Sequence, residues 1–235
     1  MPVPHPGPVV AVDGPSGSGK STVSRTVAAR LGLAYLDTGA MYRAVTWWCL
    51  DQGLDLADSA AVADAATALD LRMGTDPSAP SVAVGGTDVT AAVRESRISA
   101  AVSAVATNLS VRAELQRRQR ELIAAAAAER GVVAEGRDIT TVVAPDADVR
   151  VLLTASEDAR LARRAAELHG RTDAGAVEAT RDEVVRRDRD DATVSTFHTA
   201  ADGVVTLDSS ALSLEETVEA LASLVGAALP VGDRA

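Results

Sequence analysis

The sequence predicts an α/β fold built on a five-stranded parallel sheet flanked by helices, and three observations carry that prediction. Five short apolar runs, at residues 8–13, 33–36, 132–134, 149–153 and 204–207, alternate with stretches of helical spacing. That is the pattern of parallel strands buried on both faces. Between the first run and the first helix lies Gly14-Pro15-Ser16-Gly17-Ser18-Gly19-Lys20-Ser21-Thr22, which fits G-x-x-x-x-G-K-[ST]. Strand, glycine loop, helix is the context in which that motif forms a phosphate loop. Finally, the composition shifts at residues 71–93, where Gly74, Pro77, Pro80, Gly85 and Gly86 separate short apolar pieces. This reads as a small antiparallel insert rather than a linker.

The elements follow in order. After the phosphate loop, Val23, Val27, Ala28 and Leu31 recur at helical spacing. Residues 33–36 form the second strand, and Thr38 or Gly39 opens a helix running through Tyr42, Val45, Trp48 and Cys49. An Ala-rich helix at 60–69 precedes the insert. Residues 96–107 are helical. Asn108 caps a long helix to Arg130, and Gly131 stops it. The strand at 132–134 runs into Glu135-Gly136-Arg137-Asp138. Helices at 156–168 and 176–190 flank a polar break at 169–175, and a last helix spans 213–229. Ligands of such sheets bind beyond the carboxyl ends of the strands. Asp13-Gly14, Asp37-Thr38 and Glu135 to Asp138 all lie just past strand ends, so they should converge on one crevice.

Composition narrows the function. The chain has 235 residues and a net charge of −10, which argues against nonspecific nucleic-acid binding and against an anionic membrane surface. An anionic ligand must therefore meet a local cationic pocket. Cys49 is the one cysteine, so no internal disulfide forms, which suits a reducing cytosol. It reads as a small core residue. Residues 9–12 are too short for a signal h-region or a membrane span. His5, His169 and His198 lack metal-ligand spacing.

Of the 23 Lys and Arg residues, only Lys20 is a lysine. A compact ammonium fits a tight backbone loop and touches the β- and γ-phosphates of a nucleotide, where a planar guanidinium does not fit. The loop glycines let backbone N–H groups turn inward, and the helix N-terminus adds about half a positive charge. Residues 14–22 are thus the expected ATP-binding loop, with the Ser21 hydroxyl on Mg²⁺.

Three clusters together resemble the nucleoside monophosphate kinases, and most closely the bacterial cytidylate kinases. They are the phosphate loop, Leu36-Asp37-Thr38-Gly39-Ala40-Met41-Tyr42-Arg43, and Glu135-Gly136-Arg137-Asp138. The resemblance runs from about Val9 to Leu224. It implies a core at residues 8–70 and 94–229, an insert at 71–93 on the nucleoside monophosphate side, and a lid at 165–190. It further implies transfer of the ATP γ-phosphoryl group to CMP or dCMP; the chain is expected to act as a monomer. Position by position, Thr38 and Arg43 fall in the acceptor site, beside Asp37, with Arg43 on the monophosphate. Ser103, Arg112 and Asp138 fall where cytosine is read. Arg137 matches an arginine on the acceptor phosphate, Arg163 and Arg187 match lid arginines, and Asp191 matches a ribose-binding aspartate. Lys20, Arg43, Arg137, Arg163 and Arg187 are the expected catalytic cations.

Two departures from the family pattern stand out. G-R-D is followed by Ile139-Thr140-Thr141 where the family has a residue and then Gly-Thr. Val194 stands where an arginine is usual, and Thr196-Phe197 replaces Pro-Leu. One acceptor-side cation is therefore missing or supplied from elsewhere. Plainer roles compete for several residues. Asp37 and Asp138 would also serve as helix caps, Arg117, Arg118 and Arg120 as solvated helix charge, and Trp47 and Trp48 as core rather than base-stacking surfaces. Two other functions remain open at this point: a phosphate-loop kinase of UMP, AMP or shikimate, and a nucleotide-dependent switch.

Overall fold

The structure, a computed structural model, describes residues 7–228, without the side chains of 167–169, 174, 179, 182 and 183. His5 and Leu229 lie outside the described residues. Strand β1 (Val9–Asp13) leads through the phosphate loop to α1 (Lys20–Leu31). Next come β2 (Ala34–Asp37), α2 (Thr38–Asp51) and α3 (Ser59–Ala68). The insert holds β3 (Leu71–Gly74), β4 (Ser81–Val84) and β5 (Thr87–Asp88), paired antiparallel. A 3₁₀ turn (Ala92–Arg94) leads to α4 (Ser96–Ala106) and α5 (Leu109–Glu129). Strand β6 (Val132–Gly136), a π-helical turn (Ile139–Val143) and β7 (Val149–Thr154) follow. The chain ends in α6 (Glu157–His169), α7 (Ala174–Asp191), β8 (Val205–Asp208) and α8 (Leu214–Ala228). The third insert strand, the 3₁₀ turn and the π turn are too short to leave a periodic signal in sequence.

The main sheet is parallel throughout, in the order β2-β6-β1-β7-β8. Alternate residues feed two cores. Ala11, Leu36, Val132 and Ala134 face the side of α2, α4 and α5, while Val10, Val12, Tyr35 and Val133 face α1 and α8. Each inner strand is covered on both faces, which is why those runs show no polar alternation. The insert is packed into the first core through Val82, Val84 and Val89. Trp47 and Trp48 pack against that core too, and Cys49 is fully buried within it.

Caps place the helix starts. Asn108 Oδ1 accepts from the N–H groups of Ser110 and Val111 at 3.0 and 3.3 Å. Arg118 departs from the solvated-charge reading. It donates to the carbonyls of Ala66, Thr67 and Leu69 at the end of α3, so it satisfies orphan helix acceptors and docks α5 on α3. Arg117 does lie at the surface, bonded to Glu114 and Glu121. Among the described residues, no helix is long and apolar enough to cross a membrane.

Candidate active site

Strand register assembles the site. Asp37 pairs with Glu135 across β2 and β6, and Asp13 with Gly136 across β1 and β6. Three segments remote in sequence thus end at one level. A cleft of about 440 Å³ opens beyond them, walled by the phosphate loop, α2, the insert, α5 and α7.

At one end is the phosphate loop. Gly17 and Gly19 have φ of 75° and 88°, a left-handed conformation that side chains resist. A Cβ on Gly17 would also lie 2.5 Å from the Arg160 carbonyl. Ser16, Gly17, Gly19, Lys20, Ser21 and Thr22 line the cleft. Gly14, Pro15 and Ser18 do not. They hold the loop through their carbonyls instead, which accept from Arg137 (2.6 Å), Lys20 (3.3 Å) and Arg163 (3.2 Å) respectively. Helix α7 grips the same loop. Asp188, 5% exposed, accepts from the Ser16 N–H at 2.9 Å and from Arg160.

Burial, reinforced by the Arg137 guanidinium, lowers the Lys20 ammonium to about 7. Ser21 Oγ donates to Glu135 Oε1 at 2.6 Å, and the Tyr35 hydroxyl reaches the same oxygen at 3.2 Å. Burial, then the neighbouring Asp37 charge, raises the Glu135 carboxyl above its ordinary value. Burial opposes ionisation of Asp37 as well. There Arg43 and Arg94, with the Ala40 N–H, outweigh it and hold the carboxyl below its usual range. Asp37 is a helix cap, as its plainer reading had it, and also an ion-pair partner. Oδ1 caps α2 through Ala40 N at 2.8 Å, and Oδ2 accepts from Arg43 at 2.9 Å.

The middle of the cleft is cationic. Arg43, Arg94, Arg137, Arg164 and Arg187 line it. Burial lowers Arg187 to about 10, and Arg137 adds to the effect. Arg137 is held on three sides: Gly14 O, Asp191 Oδ2 at 3.2 Å, and the Phe197 ring 4.9 Å away. Phe197 is fully buried. The segment after Asp191, where the family arginine is missing, thus supplies an aromatic platform for a different arginine. Thr38 lines the cleft and donates to the Glu135 carbonyl at 2.7 Å.

The far end is built from side chains. Arg112, 7% exposed, donates to Asp138 Oδ2 at 2.6 Å and to Ser195 Oγ at 3.3 Å. Gln116 donates to the same Asp138 oxygen at 2.7 Å. Asp138 makes no cap bond. The π turn after it is anchored by Asp13, which accepts from Ile139 N, Thr140 N and Thr140 Oγ1 at 2.9, 2.8 and 2.6 Å. Thr140, at the family's glycine position, is thereby accommodated: its hydroxyl strengthens the anchor.

Besides Gly14, Pro15 and Ser18, two expected site residues do not line the cleft. Arg163 is turned onto the loop and the segment after β8 by bonds to Ser18 O, Ser209 Oγ and Ser209 O, and its neighbour Arg164 lines the cleft instead. Ser103 is not part of the lining, although Ser99, Val102 and Ala106 of the same helix α4 are. Trp47 and Trp48 are not part of the lining either. Conversely, the sequence assigned no individual site role to Glu135, Arg94, Arg164, Asp188, Gln116 or Phe197, although Glu135 fell in the converging third cluster and Phe197 stood out as a departure. Spacing could have found two of them. Gln116 sits four residues after Arg112, and Asp188 three before Asp191, so each shares a helix face with a known candidate.

A nucleotide-sized crevice at the switch point of a parallel sheet, with a lysine-bearing anion nest at one end and arginines beyond it, defines a phosphate-loop phosphotransferase with two anionic substrates. The family model for cytidylate kinase matches residues 10–227. A cytidylate kinase of Streptomyces avermitilis is 48% identical over 94% of this chain and 93% of its own length. One of Cutibacterium acnes is 50% identical over 92% and 95%. A bifunctional pantoate ligase/cytidylate kinase of Synechococcus sp. is 45% identical over 92% of this chain, which spans 44% of that protein. The chain belongs to the cytidylate kinase family.

Proposed function

We propose that the two ends of the cleft divide the work of the cytidylate kinase reaction. The γ-phosphoryl group of ATP passes to the 5′-phosphate of CMP, giving ADP and CDP. ATP lies with its phosphates in residues 16–22. CMP, or dCMP, lies with its phosphate among Arg43, Arg94 and Arg137 and its base against Arg112 and Asp138. Asp191, bonded to Arg137, stands where a ribose hydroxyl would reach it. Lys20, Arg164 and Arg187 face the group in flight, and residues 165–190 act as the lid.

The acceptor oxygen of a nucleoside monophosphate is largely ionised near neutrality, so no strong base is needed. Catalysis reduces to alignment and neutralisation of two polyanions that repel each other. The cations supply this from fixed positions, so little reorganisation accompanies transfer. Mg²⁺ suits the hard oxygens of Ser21 and Glu135, which already touch at 2.6 Å. Bound with ATP, it would neutralise β- and γ-phosphate charge. Cytosine offers an amino donor beside a ring acceptor. Asp138 and Arg112 offer the complementary pair, whereas uracil reverses that edge. One chain carries every group named here, which favours a working monomer.

The observation that carries this reading is the meeting of five cleft arginines, Arg43, Arg94, Arg137, Arg164 and Arg187, with Lys20 between an anion nest and a buried carboxylate–guanidinium pair. A coupled ADP-release assay with CMP, dCMP, UMP and AMP tests it. Turnover should be fastest with CMP and dCMP. Equal rates with CMP and without any acceptor would refute the assignment.

A further inference from the structure

Asp138 has two carboxylate oxygens, and the fold treats them differently. Oδ2 accepts from both Arg112 and Gln116, at 2.6 and 2.7 Å. Oδ1 accepts no hydrogen bond among the described residues. Arg112 and Gln116 are four residues apart on α5, a helix of 21 residues, so both donors reach Asp138 from one rigid face. The backbone at Asp138 is held independently, because Asp13 captures the next two N–H groups. Asp138 and Arg112 line the cleft, while Gln116 does not.

A carboxylate held at one point rotates readily, since its terminal torsion is broad and nearly two-fold. Held by Arg112 alone, the group would swing about that torsion and its unbonded oxygen would have no fixed direction. A second donor on the same oxygen, arriving from the helix behind, narrows that swing and fixes the unbonded oxygen as a bare acceptor on a side chain that lines the cleft. An acceptor at that point pairs with an exocyclic amine and repels a carbonyl.

We infer that Gln116 is a specificity-positioning residue, which never touches substrate but orients Asp138 so that cytosine is preferred over uracil. The inference rests on the placement of the base against Asp138 proposed above.

The test measures kcat/KM for CMP and UMP, and KM for ATP, in Gln116→Leu and Gln116→Met, with Asp138→Asn in parallel. Both Gln116 variants keep the side-chain bulk, so loss of fold in one leaves the other to decide. The CMP-over-UMP ratio should fall about two- to tenfold in the Gln116 variants, as a single net hydrogen bond supports. The fall should come from a higher KM for CMP, with KM for ATP unchanged. A role in packing alone would lower both nucleotides equally, and that result, or an unchanged ratio, overturns the inference. Asp138→Asn separates the two layers. If it abolishes the preference while the Gln116 variants retain it, only the role of Gln116 falls. If it leaves the preference intact, the base placement itself is wrong.

Discussion

The two ends of the cleft are made of different material. The phosphate loop is one contiguous stretch whose working groups are backbone N–H donors and a single ammonium, held by carbonyl contacts to Lys20, Arg137 and Arg163. The base end is assembled from Arg112 and Gln116 on α5, Asp138 after β6, and Ser195 after α7. Backbone geometry tolerates change in neighbouring side chains; a side-chain constellation depends on each member. The donor end should therefore fail through one residue, whereas the acceptor end should degrade by steps.

Lys20→Arg breaks the comparison at its strongest point. Arginine keeps the charge but not the compact shape the loop fits; displacing one preorganised cation from developing charge costs roughly 2.7–4 kcal/mol, about 10²–10³ in kcat, and the melting temperature should hold. A near-wild-type rate would remove Lys20 from the reaction. Arg43→Ala should act on one substrate only, raising KM for CMP about tenfold or more while KM for ATP barely moves. Equal effects on both would place Arg43 outside the acceptor site.

Phe197→Leu sharpens the comparison, because it removes the platform beneath Arg137 and leaves apolar bulk. A cation–π contact of about 0.5–2 kcal/mol predicts a rise of roughly 2- to 30-fold in KM for CMP. Phe197→Tyr should restore the affinity. If the leucine variant binds CMP as tightly as the parent, Arg137 is positioned by its polar contacts alone.

The smallest effect is a proton. With Lys20 lowered to about 7, the ammonium is present below that pH and lost as pH rises through it. Phosphate binding restores the charge, so ATP should be taken up with a fraction of a proton that approaches one near pH 8. ATP affinity should then weaken above neutrality by up to about tenfold per pH unit. Calorimetry in two buffers of different ionisation enthalpy reads the uptake, and identical heats in both would contradict it.

Much of this is legible in the sequence. The five strands, the long capped helix and the phosphate loop follow from local patterns: apolar runs, an Asn before helical spacing, glycines in a fixed motif. Those patterns act over a few residues, so neighbours in sequence suffice to read them. Family likeness added Arg43, Arg112, Arg137 and Asp138, all of which lie in the cleft. Choosing between Arg163 and Arg164 was beyond sequence, because adjacent residues on one helix differ only in direction. The packing of α6 against the phosphate loop and residues 209–212 sets that direction. Phe197 was visible only as a departure, since nothing local announces which cation its ring will meet.

The chain's own order of residues determined the sheet, the anion nest and the sign of charge the cleft must carry, because hydrogen-bond geometry and helical or strand period are short-range. Tertiary structure alone decided which arginines face inward and which donors hold the Asp138 carboxylate. Those outcomes depend on contacts between segments more than 20 residues apart, such as Gln116 with Asp138 and Arg137 with Asp191. Their alignment comes from strand register and helix packing.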